Sequence, residues 1–292
     1  MEAGQSDGRT EVGSAEPVTS GIARGKGGEA HGGQQDGIDA EAEKRLVKKL
    51  DRRVVLLLAV LYLLSVLDRS NIGNARVAGM SASLHLTSTR YEWLLTAFYI
   101  AYIVFQWFVL MWKVIPAHIW AACTVLAWGI VATLQSTTTT FVGEVICRFL
   151  LGMAEAGFGP GVPYLLSFFY LRREIGFRVG LFLAAAPLAN SFSGGLAYGI
   201  TSRHSKLSSW RVLFLAEGLP SILMAPVAFF FLPDTPERAT FLTAEEKAIA
   251  RARGVQQVGE GARIGSIDWK HIRSAFCDIK NWLTAVWDEP KP

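Results

Sequence analysis

Six stretches of this sequence stay mainly apolar over about the twenty residues that a helix needs to cross a bilayer. They fall at 54–74, 93–112, 117–134, 141–161, 179–200 and 211–232, with polar residues gathered between them. The first is apolar as far as Leu67, and its last turns then carry Asp68, Arg69, Asn71 and Asn74. The connections 113–116 and 135–140 are too short to hold a folded domain, so the helices they join run antiparallel. Hydrocarbon offers no water to backbone N–H and C=O groups, and a helix satisfies them within one segment. The pattern predicts an all-α integral membrane protein with a six-helix bundle over 44–232.

The flanks read differently. Residues 1–43 are rich in Gly, Ser, Glu and Gln and nearly free of large apolar side chains, so they predict a disordered tail. The tail has no apolar core of a signal peptide and no Gly at position 2 for myristoylation. Past the sixth span, Pro233 and Pro236 stop the helix, and 233–292 reads as a cytoplasmic segment. Within it, Thr243 and Glu246 have the spacing of a capping box, with Leu242 in front, which predicts a short amphipathic helix through Arg253. The chain turns apolar again at 282–287 and breaks at 288–292, like the start of a seventh span.

Composition sharpens the picture. Of 292 residues, 51% are hydrophobic and only 18% charged, against about a quarter charged in soluble domains. The net charge of +4 comes from flanks and loops and forms no basic groove with interleaved aromatics, so no nucleic-acid partner is expected. Basic residues concentrate before span one (Lys44, Arg45, Lys48, Lys49, Arg52, Arg53), between spans four and five (Arg172, Arg173, Arg178) and after span six (Arg238, Lys247, Arg251, Arg253). The opposite loops hold Arg76, Arg90, Arg203, Lys206 and Arg211. The positive-inside rule then places both termini in the cytoplasm. Cys123, Cys147 and Cys277 show no metal or disulfide spacing and read as small buried hydrophobes. His31, His85, His118, His204 and His271 are predicted in loops or flanks. No Walker loop, HExxH or GxSxG motif is present, so an enzyme is not expected, nor is a bound cofactor or metal.

Ionisable groups at bilayer depth are costly and persist where they face a cavity or a partner. In span four, Glu144, Arg148 and Glu155 lie four and seven residues apart, on one helical face. Arg148 can pair with Glu144 one turn away or line a cavity and bind an anionic group, and Glu155 can titrate. The alternative for all three is an ion pair that fixes packing. Near the end of span one, Asp68 and Asn71 share a face, while the adjacent Asp68 and Arg69 point apart. They either line a pathway or form a helix end with snorkelling charges. Glu217 reads as part of a charge network tying span six to its neighbours. In span five, Gly195 and Gly199 have the spacing of a close helix packing motif, and Asn190 is a candidate substrate contact. Tyr99, Tyr102 and Gln106 are pathway candidates or core aromatic packing.

Four segments together resemble a known family. Leu61-Tyr-Leu-Leu-Ser-Val-Leu-Asp-Arg-Ser-Asn-Ile-Gly-Asn-Ala75 resembles the first-helix signature of the fungal allantoate/nicotinate permease group of the major facilitator superfamily. Arg148-Phe-Leu-Leu-Gly-Met-Ala-Glu-Ala-Gly-Phe-Gly-Pro-Gly161 is similar to its fourth helix, Trp210-Arg-Val-Leu-Phe-Leu-Ala-Glu-Gly-Leu-Pro220 to its sixth, and Phe231-Leu-Pro-Asp-Thr-Pro236 to the exit. The resemblance implies a proton-coupled importer of a small organic anion or vitamin-like solute, with the proton gradient in place of a cofactor and the plasma membrane as its site. It implies twelve helices in two bundles, each a 3+3 inverted repeat, of which this sequence matches the N-terminal half. A second half or a homodimer is then needed for activity. Arg148, Glu155, Asp68 and Arg69 stand at the family's motif positions; Lys113, Glu144, Arg211 and Glu217 read as a structural charge network or gating set. The family's 2–3 loop carries several basic residues, of which Lys113 remains. Two other readings stay open: a truncated, non-transporting six-helix protein or modulatory subunit, and a metabolite efflux carrier.

Overall fold

The computed structural model describes residues 32–202 and 206–258, together with Ser274, Cys277 and Asp278. The expected seventh span, the tail before residue 32, and His31, His204 and His271 lie outside the described residues. The chain divides into two compact units, Met1–Ala40 and Glu41–Pro292; the second holds the bundle.

Among the described residues there is no strand. Helix α1, Gly32–Leu50, starts within the stretch expected to be disordered. The local reason is the good helix formers Ala40, Glu41, Ala42 and Glu43, with Arg45 donating to Glu41 one turn back at 2.9 Å. A π-turn at Asp51–Val55 leads into α2, Leu56–Ala75. A second, Arg76–Met80, ends the span at Gly79, whose φ of +101° is open to glycine but disfavoured for other residues. Helix α3, Ser88–Val104, starts on Thr87, whose side chain accepts from the Arg90 amide. The chain then bends by 43° into Gln106–Val114. Helix α4 is Ala117–Gln135, so His118 sits in its first turn rather than in a loop. Helix α5, Phe141–Ala156, stops short of the expected 161. Gly157, Gly159, Pro160, Gly161 and Pro163 break it into a 3-10 turn, Gly159–Gly161, and a short helix, Val162–Leu166. The fifth span is α6, Arg172–Leu183, and α7, Ala185–Thr201. They are offset at Ala184, where the Pro187 ring cannot accommodate the Leu183 carbonyl one turn back. Helix α8 is Ser209–Phe231 and α9 is Ala244–Val258.

By length and composition alone, three of these cross a membrane: α4, the α6–α7 pair and α8. The bent Ser88–Val114 pair makes a fourth. The other two of the six expected spans, α2 and α5, are the ones that carry Asp68, Arg69, Glu144, Arg148 and Glu155. Outward faces are strongly apolar: Leu223, Phe230 and Ile103 are 71%, 75% and 71% exposed. Such surfaces suit lipid and not water. Cys123 is exposed and Cys147 half-buried, so neither is the core filler expected from sequence.

The packing has an internal symmetry. Helix α2 packs on α7 and α8, α5 packs on α3 and α4, and α4 packs on α8. Exchanging the first three spans with the last three (α2 with α5, α3 with α6–α7, α4 with α8) reproduces the same set of contacts. That is the contact pattern of a 3+3 repeat. The seam between α4 and α8 is set by glycines on both sides. A Cβ at Gly218 would stand 2.7 Å from the Thr133 amide nitrogen, and one at Gly129 would stand 2.8 Å from that of Ile222. Gly152 does the same for α5 against the Phe98 carbonyl of α3, and Gly161 against the Trp112 ring. Gly194, Gly195 and Gly199, expected to mediate packing, have nothing within 4 Å. Helix α7 packs on α2 through Ala189, beside Val66 and Leu67, and its glycines face away.

The basic clusters gather at one end of the bundle. Arg178 of α6 donates to both oxygens of Asp51 at 3.0 and 3.1 Å. Arg253 of α9 contacts Glu174 of α6 at 2.7 Å and Glu43 of α1 at 2.9 Å. Asp234 accepts from the His118 backbone at 3.1 Å and meets its ring at 2.7 Å. The capping box of α9 is formed: Thr243 N donates to Glu246 at 2.8 Å and Glu246 N to the Thr243 hydroxyl at 3.3 Å. Lys49 adds a bond to the same carboxylate at 2.8 Å. Residues 233–258 therefore form part of the bundle's compact unit.

Two predictions follow from this packing. Replacing Gly218 or Gly129 by Val should destabilise the bundle by about 1–3 kcal/mol through overpacking. Gly195→Val should change stability by no more than about 0.5 kcal/mol. Thermal unfolding of the detergent-solubilised protein measures both, and equal losses at Gly195 and Gly218 would refute the seam. The second concerns Glu246. Partial burial pushes its pKa up, but the Lys49 ammonium and the Thr243 amide outweigh that and hold it below the ordinary carboxylate range. Its contribution is thus present above the ordinary pKa and lost as pH falls through the depressed one. Spin labels on α1 and α9 should show a distance distribution that broadens on acidification in wild type. In Glu246→Gln it should be broad at every pH.

Candidate functional site

Asp68 lies twelve residues past the start of α2, about 18 Å along at 1.5 Å per residue. That is near the middle of a hydrocarbon core about 30 Å thick. Asp68 and Asn71 are buried on one face, at 2% and 0% exposure. Arg69 points elsewhere and reaches α5. Its Nε and Nη2 donate to Glu155 Oε2 at 3.2 and 2.7 Å, and Ser65 Oγ donates to the same oxygen at 2.9 Å. The guanidinium lies over the Phe98 and Tyr102 rings of α3, 5.2 and 5.0 Å from their centroids. Cation–π contact adds to the charge-assisted bonds.

Arg148 is held less completely. Its Nη1 donates to the Arg69 carbonyl at 3.5 Å, and its Nε is 3.7 Å from Glu144 Oε1, which is an ion pair but too long for a hydrogen bond. Its guanidinium lies 5.5 Å from the Phe214 ring centroid. Arg148 Nε and Nη2 have no hydrogen-bond partner. Glu144 is fixed from its other oxygen by Thr138 Oγ1 at 2.8 Å, and Arg211 donates to the Ser136 and Thr138 carbonyls at 2.8 and 2.9 Å. Thr138 thus links the two charged residues.

The third wall is α8. Ser221 Oγ donates to Asp68 Oδ2 at 2.7 Å. Glu217, one turn away, is 2% exposed, and neither of its oxygens is hydrogen-bonded. It is close enough to Asp68 and Arg148 for their charges to act on it. Asn71 and Gln135 are also buried with unpartnered amides. Four buried carboxylates, Asp68, Glu144, Glu155 and Glu217, therefore face two guanidiniums, those of Arg69 and Arg148. Leaving a buried polar group unpaired costs about 1–3 kcal/mol, and more for a charged one. The centre thus combines one well-bonded ion pair, whose Glu155 Oε1 is still unpartnered, with other donors and acceptors free to bind. Among the described residues, no group of three or more His, Cys, Asp or Glu has a metal-holding arrangement.

Of the residues singled out by sequence, Asp68, Arg69, Asn71, Glu144, Arg148, Glu155 and Glu217 meet in this centre. Arg211 holds a loop at one end and does not touch Glu217. Asn190 is exposed on α7, away from the network. Lys113 is exposed at the end where α8 finishes, lining a pocket of about 240 Å³ with Asp234 and Arg238. Sequence reasoning overlooked Ser65 and Ser221. Each stands four residues from a charged residue, Arg69 and Glu217, and that spacing was the available signal. Tyr102, read as core packing or pathway, is the ring beneath Arg69.

Comparison with known proteins agrees with this architecture. The sequence pattern of the Major Facilitator Superfamily matches residues 58–285. An uncharacterised transporter of Schizosaccharomyces pombe is 39% identical over 252 residues, covering 86% of this chain and 49% of its own length. A protein of Agrobacterium vitis named as a candidate tartrate transporter is 34% identical over 239 residues, covering 80% and 53%. The crystal structure of a bacterial homologue of the human lysosomal transporter Spinster, inward-facing and unoccupied, superposes with a TM-score of 0.54 at 19% identity. It covers 66% of this chain and 46% of that one, which speaks to the fold alone. The chain spans about half the length of the curated relatives it matches. With a family pattern covering most of the bundle, a shared fold and apolar outer helices, this multi-pass membrane protein belongs to the major facilitator superfamily.

Proposed function

We propose that this chain is the N-terminal six-helix half of a secondary transporter that takes up a small organic anion together with protons, by alternating access. The observation that carries the reading is Arg148, buried at mid-depth with two N–H groups that have no hydrogen-bond partner. A planar guanidinium with free donors is suited to a carboxylate, which it binds through paired hydrogen bonds.

Glu155 supplies the coupling. While its carboxylate is ionised, Arg69 is bound to it. A proton taken up by Glu155 weakens that pair and frees the Arg69 donors to join Arg148 on an incoming carboxylate. Loss of the proton to the other side restores the pair and expels the anion. Asp68, facing Glu217 and Arg148, is a second site where the carboxylate excess is neutralised. The name of the Agrobacterium vitis relative, which refers to a dicarboxylate, supports the substrate class. The opposite wall of the cavity comes from a second bundle or another copy of this chain. In this reading the termini lie in the cytoplasm, the side that the positive-inside rule favours for the three basic clusters, and the membrane is the plasma membrane.

Uptake of labelled organic acids into cells expressing the chain, alone and with a C-terminal bundle, tests this reading. Accumulation should follow the inward proton gradient and collapse with a protonophore. Arg148→Gln should lower uptake by at least about 30-fold, the loss expected on truncating a buried charged contact. Glu155→Gln should keep anion exchange and lose uphill accumulation. Accumulation unchanged by the protonophore would rule out proton symport. A stability cycle supplies an independent readout. Arg69→Met alone should cost about 3–5 kcal/mol by stranding Glu155, and the Arg69→Met/Glu155→Gln double variant should recover most of it.

A further inference from the structure

We propose that the groove between the start of α2 and the end of α8 binds one anionic phospholipid, with its phosphate on Arg52 and Arg53 and an acyl chain along α2. Arg52, Leu56 and Val60 follow one another at four-residue steps, so they lie on one helical face, and all three are exposed. At 1.5 Å per residue the stripe runs about 12 Å from cation to apolar end. Met224 and Phe231, two turns apart on α8, form the facing wall, and Phe241 lines the groove from the segment that follows. The space enclosed is about 350 Å³. It is cationic at the mouth and apolar along its length.

Charge complementarity selects the occupant. Three of the cations nearest this end of α2 are engaged: Arg178 by Asp51, Arg253 by Glu174 and Glu43, Lys49 by Glu246. Arg52 and Arg53 hold no carboxylate among the described residues, and the adjacent acid, Asp51, has both oxygens taken by Arg178. Their charge is thus left for an outside partner at the level where the apolar wall begins. A free phosphate would leave the walls of Leu56, Val60 and Phe231 unused. A zwitterionic lipid would bring a compensating ammonium to the same mouth. A lipid of net negative charge satisfies both parts of the groove, as basic pockets between membrane helices do for acidic headgroups. The inference goes beyond the transport reading and rests only on the chain being a membrane protein.

Purified protein in a neutral detergent is titrated with mixed micelles of phosphatidylserine or phosphatidylcholine while thermal unfolding is followed. Inorganic phosphate and glycerophosphoserine serve as headgroups without chains. Phosphatidylserine should raise the Tm at a concentration roughly thirtyfold lower than phosphatidylcholine, the preference expected of two arginines near a surface. Arg52→Gln/Arg53→Gln should abolish that preference and leave the phosphatidylcholine response unchanged. Leu56→Gln/Val60→Gln should weaken the response to both lipids. Mass spectrometry of lipid retained through purification gives a second measure, with phosphatidylserine enriched in wild type and not in the arginine variant. Equal midpoints for the two lipids in wild type, a preference that survives in the arginine variant, or a full shift with free phosphate would each overturn the site.

Discussion

Charge buried in a hydrocarbon-embedded bundle is tolerated only where it is compensated, and the contact between Arg69 of α2 and Glu155 of α5 is where this chain meets that condition most completely. Three donor groups converge on one carboxylate oxygen, and two aromatic rings cover the cation. The helices that carry these charges are the two expected spans that do not count as membrane-crossing by length and composition. They are admitted to the bundle because they face each other and α8. Of the three apolar spans, α6–α7 is the most exposed: it is buried over only 17% of its apolar window.

The exchange symmetry of the packing gives this arrangement a mechanical consequence. The main partners of α2 and of α5 correspond, so the two charged helices occupy equivalent places in the two triplets. The α4–α8 seam, its own counterpart under the exchange, is clamped by Gly129 and Gly218 at near-contact backbone distances. A seam that tight leaves little room for sliding. On the α2–α5 side, by contrast, side-chain bonds such as Arg69 to Glu155 hold the helices together.

Much of this was legible in sequence, and the reasons are specific. A twenty-residue apolar run has few alternatives to a helix in lipid, so the spans were located well wherever the run was clean, as for α4 and α8. The i, i+4, i+11 spacing of Glu144, Arg148 and Glu155 placed them on one face, and they share one network. The capping box at Thr243 and Glu246 depends on four neighbouring residues and formed as read. What sequence could not supply was partnership across helices. The separation of 86 residues between Arg69 and Glu155 leaves no local trace, and neither do those that join Ser221 to Asp68 and Ser65 to Glu155. Composition also misled. Gly195 and Gly199 have a packing spacing, but small side chains only permit close approach, and the approach occurs at Gly129, Gly152 and Gly218 instead. Asn190 is exposed on α7, whose packing on α2 runs through Ala189.

The distribution of satisfied and unsatisfied groups follows from depth. At the basic end, Asp51, Glu174 and Glu246 are each matched by a cation at 3.0 Å or less, in surroundings where water shares the work and breaking one pair costs little. At the centre, water cannot share it. There Arg148, Glu217 and Asn71 retain unmatched groups, and each raises the free energy of the bundle as it stands. Apolar residues of similar size would serve packing alone better. The Arg69–Glu155 pair beside them is better matched, although Glu155 Oε1 is also unpartnered, so the centre holds donors and acceptors that a further group could engage.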